Sequence, residues 1–135
     1  MANAAAYKAF KGWTDKPYTE VLEYDFANDG GAASTISLGK FEHKTLVLRG
    51  KVFVETACTS GGSATVIVGA STADVDAFLD ATSGAVANLV DDLVAVESTS
   101  ENLVVAEDET LDLTIGTAAL TAGKIKVILE CMNVE

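Results

Sequence analysis

The sequence predicts an all-β protein, an antiparallel β-sandwich or jelly-roll-like domain with an N-terminal arm. Short runs in which apolar and polar residues alternate follow one another after residue 18, and this period of two is typical of half-buried strands. Turn-forming Asn, Asp, Gly and Ser residues separate these runs. The 135 residues suffice for one domain with its own core. We therefore assign residues 1–18 to the arm and residues 19–135 to a single β domain.

The arm combines aromatic with basic side chains and ends at the single proline, Pro17. Its aromatic and basic residues are Tyr7, Lys8, Phe10, Lys11 and Trp13. The aromatics recur at every third position, so they share one face of a helical or extended segment. Aromatic side chains supply much of the binding energy at protein interfaces. The arm therefore either folds back onto its own domain or contacts a neighbouring subunit.

The first predicted hairpin lies between residues 20 and 38. Leu22, Tyr24 and Phe26 alternate with polar residues, and Ser34–Leu38 is the expected partner strand. The Asp-Gly pair of the connecting Asn28–Gly31 stretch is a strong hairpin signal.

The most apolar part of the chain, from Thr45 to Gly69, predicts a second hairpin that forms the core. Two runs, TLVLRGKVFVETA and ATVIVG, flank the turn-forming stretch Cys58–Ser63. In the first run, alternation predicts one dry face and one mixed face. The dry face contains Leu46, Leu48, Val52 and Val54. The mixed face contains Val47, Arg49, Lys51, Phe53 and Glu55.

The remaining elements are shorter. Residues 71–79 fit one helical turn or an excursion. Residues 85–96 fit a short helix or a strand interrupted by Asp91-Asp92, and the neighbouring β signals favour strand or loop. Alternation predicts further strands at 103–105, 111–115 and 125–131, and residues 120–123 are expected to turn the chain. The total of seven or eight short strands is typical of a sandwich.

The charge distribution disfavours nucleic acid as a partner. The net charge is −11, and residues 52–123 contain twelve acidic residues and no basic one. Phosphate groups would be repelled by this surface. The sequence has no run of about 18 apolar residues, which a membrane span would need. Its N-terminus does not resemble a secretory signal. We expect folding in the cytosol of the cell that makes the protein.

Residue chemistry favours neither an enzyme nor a bound cofactor. Asp74, Asp76 and Asp80 offer oxygen ligands for calcium, but the alternating ligands and closing glutamate of a calcium loop are missing, so we predict no metal site. The single histidine, His43, lies in a charged link and is an unpromising general base. Cys58 and Cys131 could pair, but the sequence does not place them within bonding distance, and cytosolic folding favours free thiols.

Several segments resemble small β-rich virion proteins of tailed bacteriophages, the head decoration (cement) or head-fibre proteins. The resemblance covers about residues 20–130, and TSGGSATV and LTIGTAALTAGK are its most specific parts. It implies a non-enzymatic, usually trimeric protein on the outer capsid surface that clasps neighbouring subunits of the major capsid protein. Tail or head-fibre components, a carbohydrate-binding β-sandwich and an acidic calcium-binding module remain alternatives.

The resemblance also gives expected roles to particular residues. The arm residues Tyr7, Lys8, Phe10, Lys11 and Trp13 would contact the capsid, while the anionic middle of the chain would face solvent. The apolar residues predicted for the second faces of the strands would form the subunit interface: Val47, Phe53, Ile67 and Ile128.

Overall fold

The computed structural model describes residues 16–96 and 102–134, which form nine strands, one turn of α-helix and one turn of 3-10 helix. Their bounds are β1 Tyr18–Asp25, α1 Phe26–Asp29, β2 Thr35–Lys40, β3 Thr45–Ser60, β4 Thr65–Ala70, β5 Asp74–Leu79, the 3-10 helix Val86–Asn88, β6 Leu93–Val96, β7 Leu103–Val105, β8 Thr110–Gly116 and β9 Leu120–Asn133. No helix in these two ranges is long and apolar enough to cross a membrane.

The strands form two antiparallel sheets, which confirms the predicted all-β sandwich. Sheet A has five strands in the order β1-β9-β3-β6, with β7 also paired to β3. Sheet B has four strands in the order β2-β8-β4-β5. The long strands β3 and β9 pair from Thr45 opposite Asn133 to Ser60 opposite Leu120, so they form the centre of sheet A.

The core lies between the two sheets and is built from alternate residues of their strands. Sheet A contributes Val52, Val54, Val127 and Leu129, all with no exposed surface. Sheet B contributes Val66, Val68, Leu111, Leu113 and Phe78, at most 1% exposed. Burial of such a side chain contributes about 1.5–3 kcal/mol, so this layer is the main source of stability.

Both predicted hairpins are wrong, because each links strands of different sheets. β1 pairs with β9 and β2 with β8, while β3 pairs with β9 and β4 with β8. At the first connection, the side chain of Asp25 accepts a hydrogen bond from the N–H of Ala27 at 3.0 Å and begins α1. Gly30 ends that helix with φ of 78°. The Asp-Gly pair therefore terminates a helical turn instead of closing a two-residue hairpin.

The predicted faces of β3 are correct only in its second half. Val52 and Val54 face the core, but the pairing with β9 shifts register between Val47 and Arg49. This bulge reverses the alternation, so that Thr45 and Val47 are buried while Leu46 is half-buried. The assignment of Val47 to the mixed outer face is corrected accordingly.

Two further segments differ from expectation. Residues 74–79 form strand β5 on the edge of sheet B, where a helical turn or excursion was expected. Residues 85–96 divide into the 3-10 helix and β6, and Asp91-Asp92 lies in the turn between them. β9 begins at Leu120, so residues 120–123 extend the strand instead of turning the chain.

Candidate interaction surfaces

The outer face of sheet A, called face A below, carries a group of apolar side chains. Strand pairing places Val21 opposite Ile128, and Phe53 opposite Val94. Val21 is 56% and Val94 55% exposed, while Phe53 and Ile128 are half-buried. Val104, which is 50% exposed, continues the face along β7. Single exposed apolar residues are ordinary, but a neighbouring group of this kind marks a candidate contact surface.

The charges on face A are paired and balanced. Glu55 forms ion pairs with Lys124 at 3.2 Å and with Lys126 at 3.5 Å, and Arg49 lies 2.5 Å from Glu130. The contact with Lys124 holds the pKa of Glu55 below its usual value, and the same contact raises the pKa of Lys124. Face A carries four basic and four acidic residues: Arg49, Lys51, Lys124, Lys126, Glu23, Asp25, Glu55 and Glu130. Its net charge is zero in a protein of charge −11.

The outer face of sheet B, called face B, is rich in hydroxyl groups. The hydroxyl groups of Thr35 and Thr114 lie 3.1 Å apart, and the hydroxyl of Thr110 donates to Asp112 at 2.7 Å. Ile67, which lies opposite Thr114, is half-buried on this face. Face B therefore differs from face A in polarity.

The four residues predicted for the subunit interface do not lie together. Phe53 and Ile128 are neighbours on face A, whereas Ile67 lies on face B, across the core. Val47 is fully buried within its own chain and has no surface to offer another subunit. Alternation in sequence shows which residues leave the core, but it does not show which of the two sheets they leave from.

The predicted capsid-contact residues Tyr7, Lys8, Phe10, Lys11 and Trp13 lie outside the described residues. The described chain begins at Lys16, and Tyr18, which the sequence placed in the arm, is the first residue of β1.

A groove lies where the edge strands β1 and β2 of the two sheets meet, and the sequence did not predict it. Its volume is about 420 Å³. Apolar side chains of Leu22, Phe41 and Leu129 line it, together with the carboxylates of Glu20 and Glu42. Glu20 has the same parity as buried Tyr24, but sheet B does not cover it there and its side chain is exposed. No short sequence pattern carries this signal, because the groove is formed by strands of two different sheets.

The acidic residues considered for calcium take part in local hydrogen bonds. Asp80 accepts from the N–H of Ser83 at 2.8 Å, and Asp74 accepts from the N–H of Asp76 at 3.4 Å. A hydrogen bond with Asp74 raises the pKa of Asp76. Within residues 16–96 and 102–134, no three His, Cys, Asp or Glu side chains are grouped so that they could hold a metal ion. His43 lies at the rim of the groove.

Comparison with known proteins gives a likeness in structure alone. No protein-family model and no curated protein matches the sequence. A chain of the cyanophage Pam1 capsid asymmetric unit is similar, with a TM-score of 0.64 and 14% identity over 98% of this chain and 97% of that one. A chain of the capsid of Ralstonia phage GP4 is similar with a TM-score of 0.65 and 18% identity over 89% and 86%.

A third similar chain belongs to the acid-stable capsid of Helicobacter pylori bacteriophage KHP30. Its TM-score is 0.55 with 13% identity, over 88% of this chain and 89% of that one. In all three comparisons the covered shares of the two chains are nearly equal, so the matched chains are about as long as this one. The protein therefore shares its whole-chain fold with small chains found in three bacteriophage capsids.

Proposed function

We propose that this chain is a non-enzymatic structural protein of a bacteriophage virion that decorates and stabilises the capsid by binding at junctions between major capsid subunits. The observation that carries the proposal is the whole-chain likeness to small chains in three phage capsids. The likeness spans most of both chains in each comparison, so it concerns the whole β fold and not one part of it. Fold alone does not fix function, so the surfaces must support the same role.

The two outer faces suit a protein that is bound on one side and solvated on the other. Face A has exposed apolar groups and a net charge of zero, whereas face B is rich in hydroxyl groups. A decoration protein needs one surface that contacts protein and another that remains in water. The net charge of −11 also argues against contact with the packaged nucleic acid, since phosphate and carboxylate groups repel one another.

Face A supports association of the protein with itself, and we propose a homotrimer in which Phe53 and Ile128 lie near the three-fold axis. Copies of a protein with charge −11 repel one another, and this repulsion is smallest where the local charge is zero. Closed rotational symmetry would bring the same apolar group together from three copies. Ile67, on face B, would then contact a different neighbour or remain exposed.

The arm is proposed as the contact with the major capsid protein. From Met1 to Thr14 it has two lysines, no acidic residue and the aromatics Tyr7, Phe10 and Trp13. Aromatic and basic side chains in one short segment favour a protein surface with acidic and apolar groups as partner. The protein would fold in the host cytoplasm and then join the outer surface of the capsid, with no membrane partner.

The test is binding to particles assembled without this protein. The full chain should co-sediment with such particles, and electron cryomicroscopy should show added density at junctions between capsid subunits. A variant lacking residues 1–15 keeps β1 whole and should fail to bind while retaining its circular dichroism spectrum. Density on the tail or on fibres would instead support the tail or head-fibre alternative. If the truncated chain decorates particles normally, the arm is not the capsid contact.

A further inference from the structure

The groove between β1 and β2 has an unusual lining for the inner side of a sandwich. Tyr18, Glu20, Leu22 and Tyr24 all point toward sheet B, opposite Cys131, Leu129, Val127 and Ile125 of β9. Tyr24 is fully buried, Leu22 is half-buried and Tyr18 is 42% exposed. The two sheets thus separate toward the start of β1, and the apolar surface left accessible in the groove belongs to Tyr18, Leu22 and Phe41, above buried Leu129 and Cys131.

The rim of the groove is acidic. Glu20 and Glu42 are both exposed there, and the charge of Glu20 adds to burial in raising the pKa of Cys131, which lies buried beneath the groove. Lys40, also at the rim, is 3.4 Å from Asp108 and is thereby neutralised. An occupant of this groove should therefore carry apolar or aromatic groups together with positive charge.

We propose that residues 1–15 of the same chain occupy this groove in the protein free in solution, with Trp13 against Tyr18, Leu22 and Phe41 and the lysines near Glu20 and Glu42. The segment has the required chemistry, since it holds three aromatics and two lysines, with Asp15 as its one acidic residue. The volume of about 420 Å³ lies within the range of roughly 300–1,000 Å³ that is typical of sites for organic groups.

Chain length allows the contact without a second copy. Trp13 is five residues before Tyr18, which lines the groove, so the two Cα atoms are at most about 18 Å apart. Asp15-Lys16-Pro17 lies between them, and Asp and Pro are typical turn residues. A reversal there would return the arm along β1, the free edge strand of sheet A. Pairing of backbone groups along that edge would also protect it from other chains.

Trp13 is the single tryptophan of the chain, so its fluorescence reports on the arm alone. In the full protein its emission should lie at shorter wavelength than in a synthetic peptide of residues 1–15, and quenching by acrylamide should be severalfold weaker. Glu20→Lys and Glu42→Lys should each shift the emission toward that of the peptide. Asp76→Lys makes the same charge change on β5, at the far edge of sheet B, and should leave the emission unchanged.

Three outcomes would overturn the proposal. Trp13 emission equal to that of the peptide would mean that the arm is solvated. If Trp13 is shielded but its emission changes in neither Glu20→Lys nor Glu42→Lys, then Trp13 is packed against another surface. Shielding that disappears on dilution would identify a second copy as the occupant. None of these measurements involves capsids. A negative result for the groove is therefore distinct from a negative result for the proposed capsid function. If the arm also binds the shell, that binding competes with the groove.

Discussion

Gly50 on β3 lies against the ring of Phe78 on β5, and no space for a methyl group remains between them. A Cβ atom on Gly50 would be 2.3 Å from Cδ1 of Phe78 and 3.1 Å from Cδ2 of Leu129. Because β3 belongs to sheet A and β5 to sheet B, the large side chain of one sheet fills the space left by the glycine of the other. This pair sets how closely the two sheets approach.

Gly50→Ala should therefore destabilise the protein by about 1–3 kcal/mol, because the Phe78 ring must move within a closely packed core. Chemical denaturation followed by circular dichroism measures this change. The matched control is Gly61→Ala, where a Cβ atom would meet nothing within 4 Å, and its effect should stay within about 0.5 kcal/mol. Equal stability of the two variants would contradict the packing described.

The pair also predicts non-additivity. Phe78→Leu alone should cost stability by leaving a cavity, but in combination with Gly50→Ala the smaller side chain leaves room for the new methyl group. We expect a favourable coupling of about 0.5–3 kcal/mol in a double-mutant cycle. Strictly additive effects would show that the two residues do not share this space.

Glu109 holds the turn between β4 and β5 to the start of β8. Its Oε1 accepts hydrogen bonds from the N–H groups of Thr72 at 2.6 Å and Ala73 at 2.5 Å, and the residue is 8% exposed. Glu109→Ala leaves both donors without this acceptor and should cost about 1–3 kcal/mol in unfolding free energy. Glu107→Ala, at an exposed position two residues away, is the control and should have little effect. A similar loss of unfolding free energy in Glu109→Ala and Glu107→Ala would mean that the loss does not come from these hydrogen bonds.

Glu109 also predicts an acid dependence. Burial raises the pKa of its carboxyl group, but the hydrogen bonds from Ala73 and Thr72 outweigh burial, so the pKa lies below the ordinary 4.5. The carboxylate therefore contributes stability above pH 4.5, and this contribution is lost as the pH falls through the lower folded-state value. The difference in unfolding free energy between the wild type and Glu109→Gln should shrink over that range. A difference that is constant from neutral to acid pH would contradict the assignment.

Cys58 and Cys131 should be unreactive in the folded protein. Cys58 lies beside Gly123, eight residues before Cys131 on β9, so the thiols are about 26 Å apart along the strand and no disulfide joins them. Burial raises the pKa of each thiol to about 11, with a further contribution from Glu20 at Cys131. A colorimetric thiol reagent should detect no thiol at neutral pH and two after denaturation without reductant. Rapid labelling of the native protein would contradict the burial of both residues.

The sequence predicts individual strands well where one face is buried and the other solvated. β8 and β9 show this clearly, since Leu111, Leu113 and Ile125 alternate with polar residues both in the sequence and in the burial pattern. β5 was missed because Ala77, Phe78 and Leu79 are all buried, and such a run has no period of two.

Pairing was not predictable from local patterns. Tyr24 pairs with Ile125, about 100 positions later, and no nearby residue encodes that choice. Val47 is buried because of one bulge in β3, and alternation in the sequence does not reveal that bulge. The predicted subunit interface was affected by the same errors. A residue that is predicted to point outward can be assigned to a surface only when its sheet is known.

The proposed trimer places Phe53 and Ile128 at its interface. Phe53→Glu and Ile128→Glu each place a charge in the apolar centre of face A, so the dissociation constant of the assembly should rise at least tenfold, or about 1.4 kcal/mol. Light scattering at several concentrations measures the mass, and circular dichroism confirms the fold. Val75→Glu, at a 53% exposed position on β5, is the matched control and should leave the mass unchanged. If Ile67→Glu alone dissociates the assembly, the interface lies on face B instead of face A. A monomeric wild-type protein would refute the trimer.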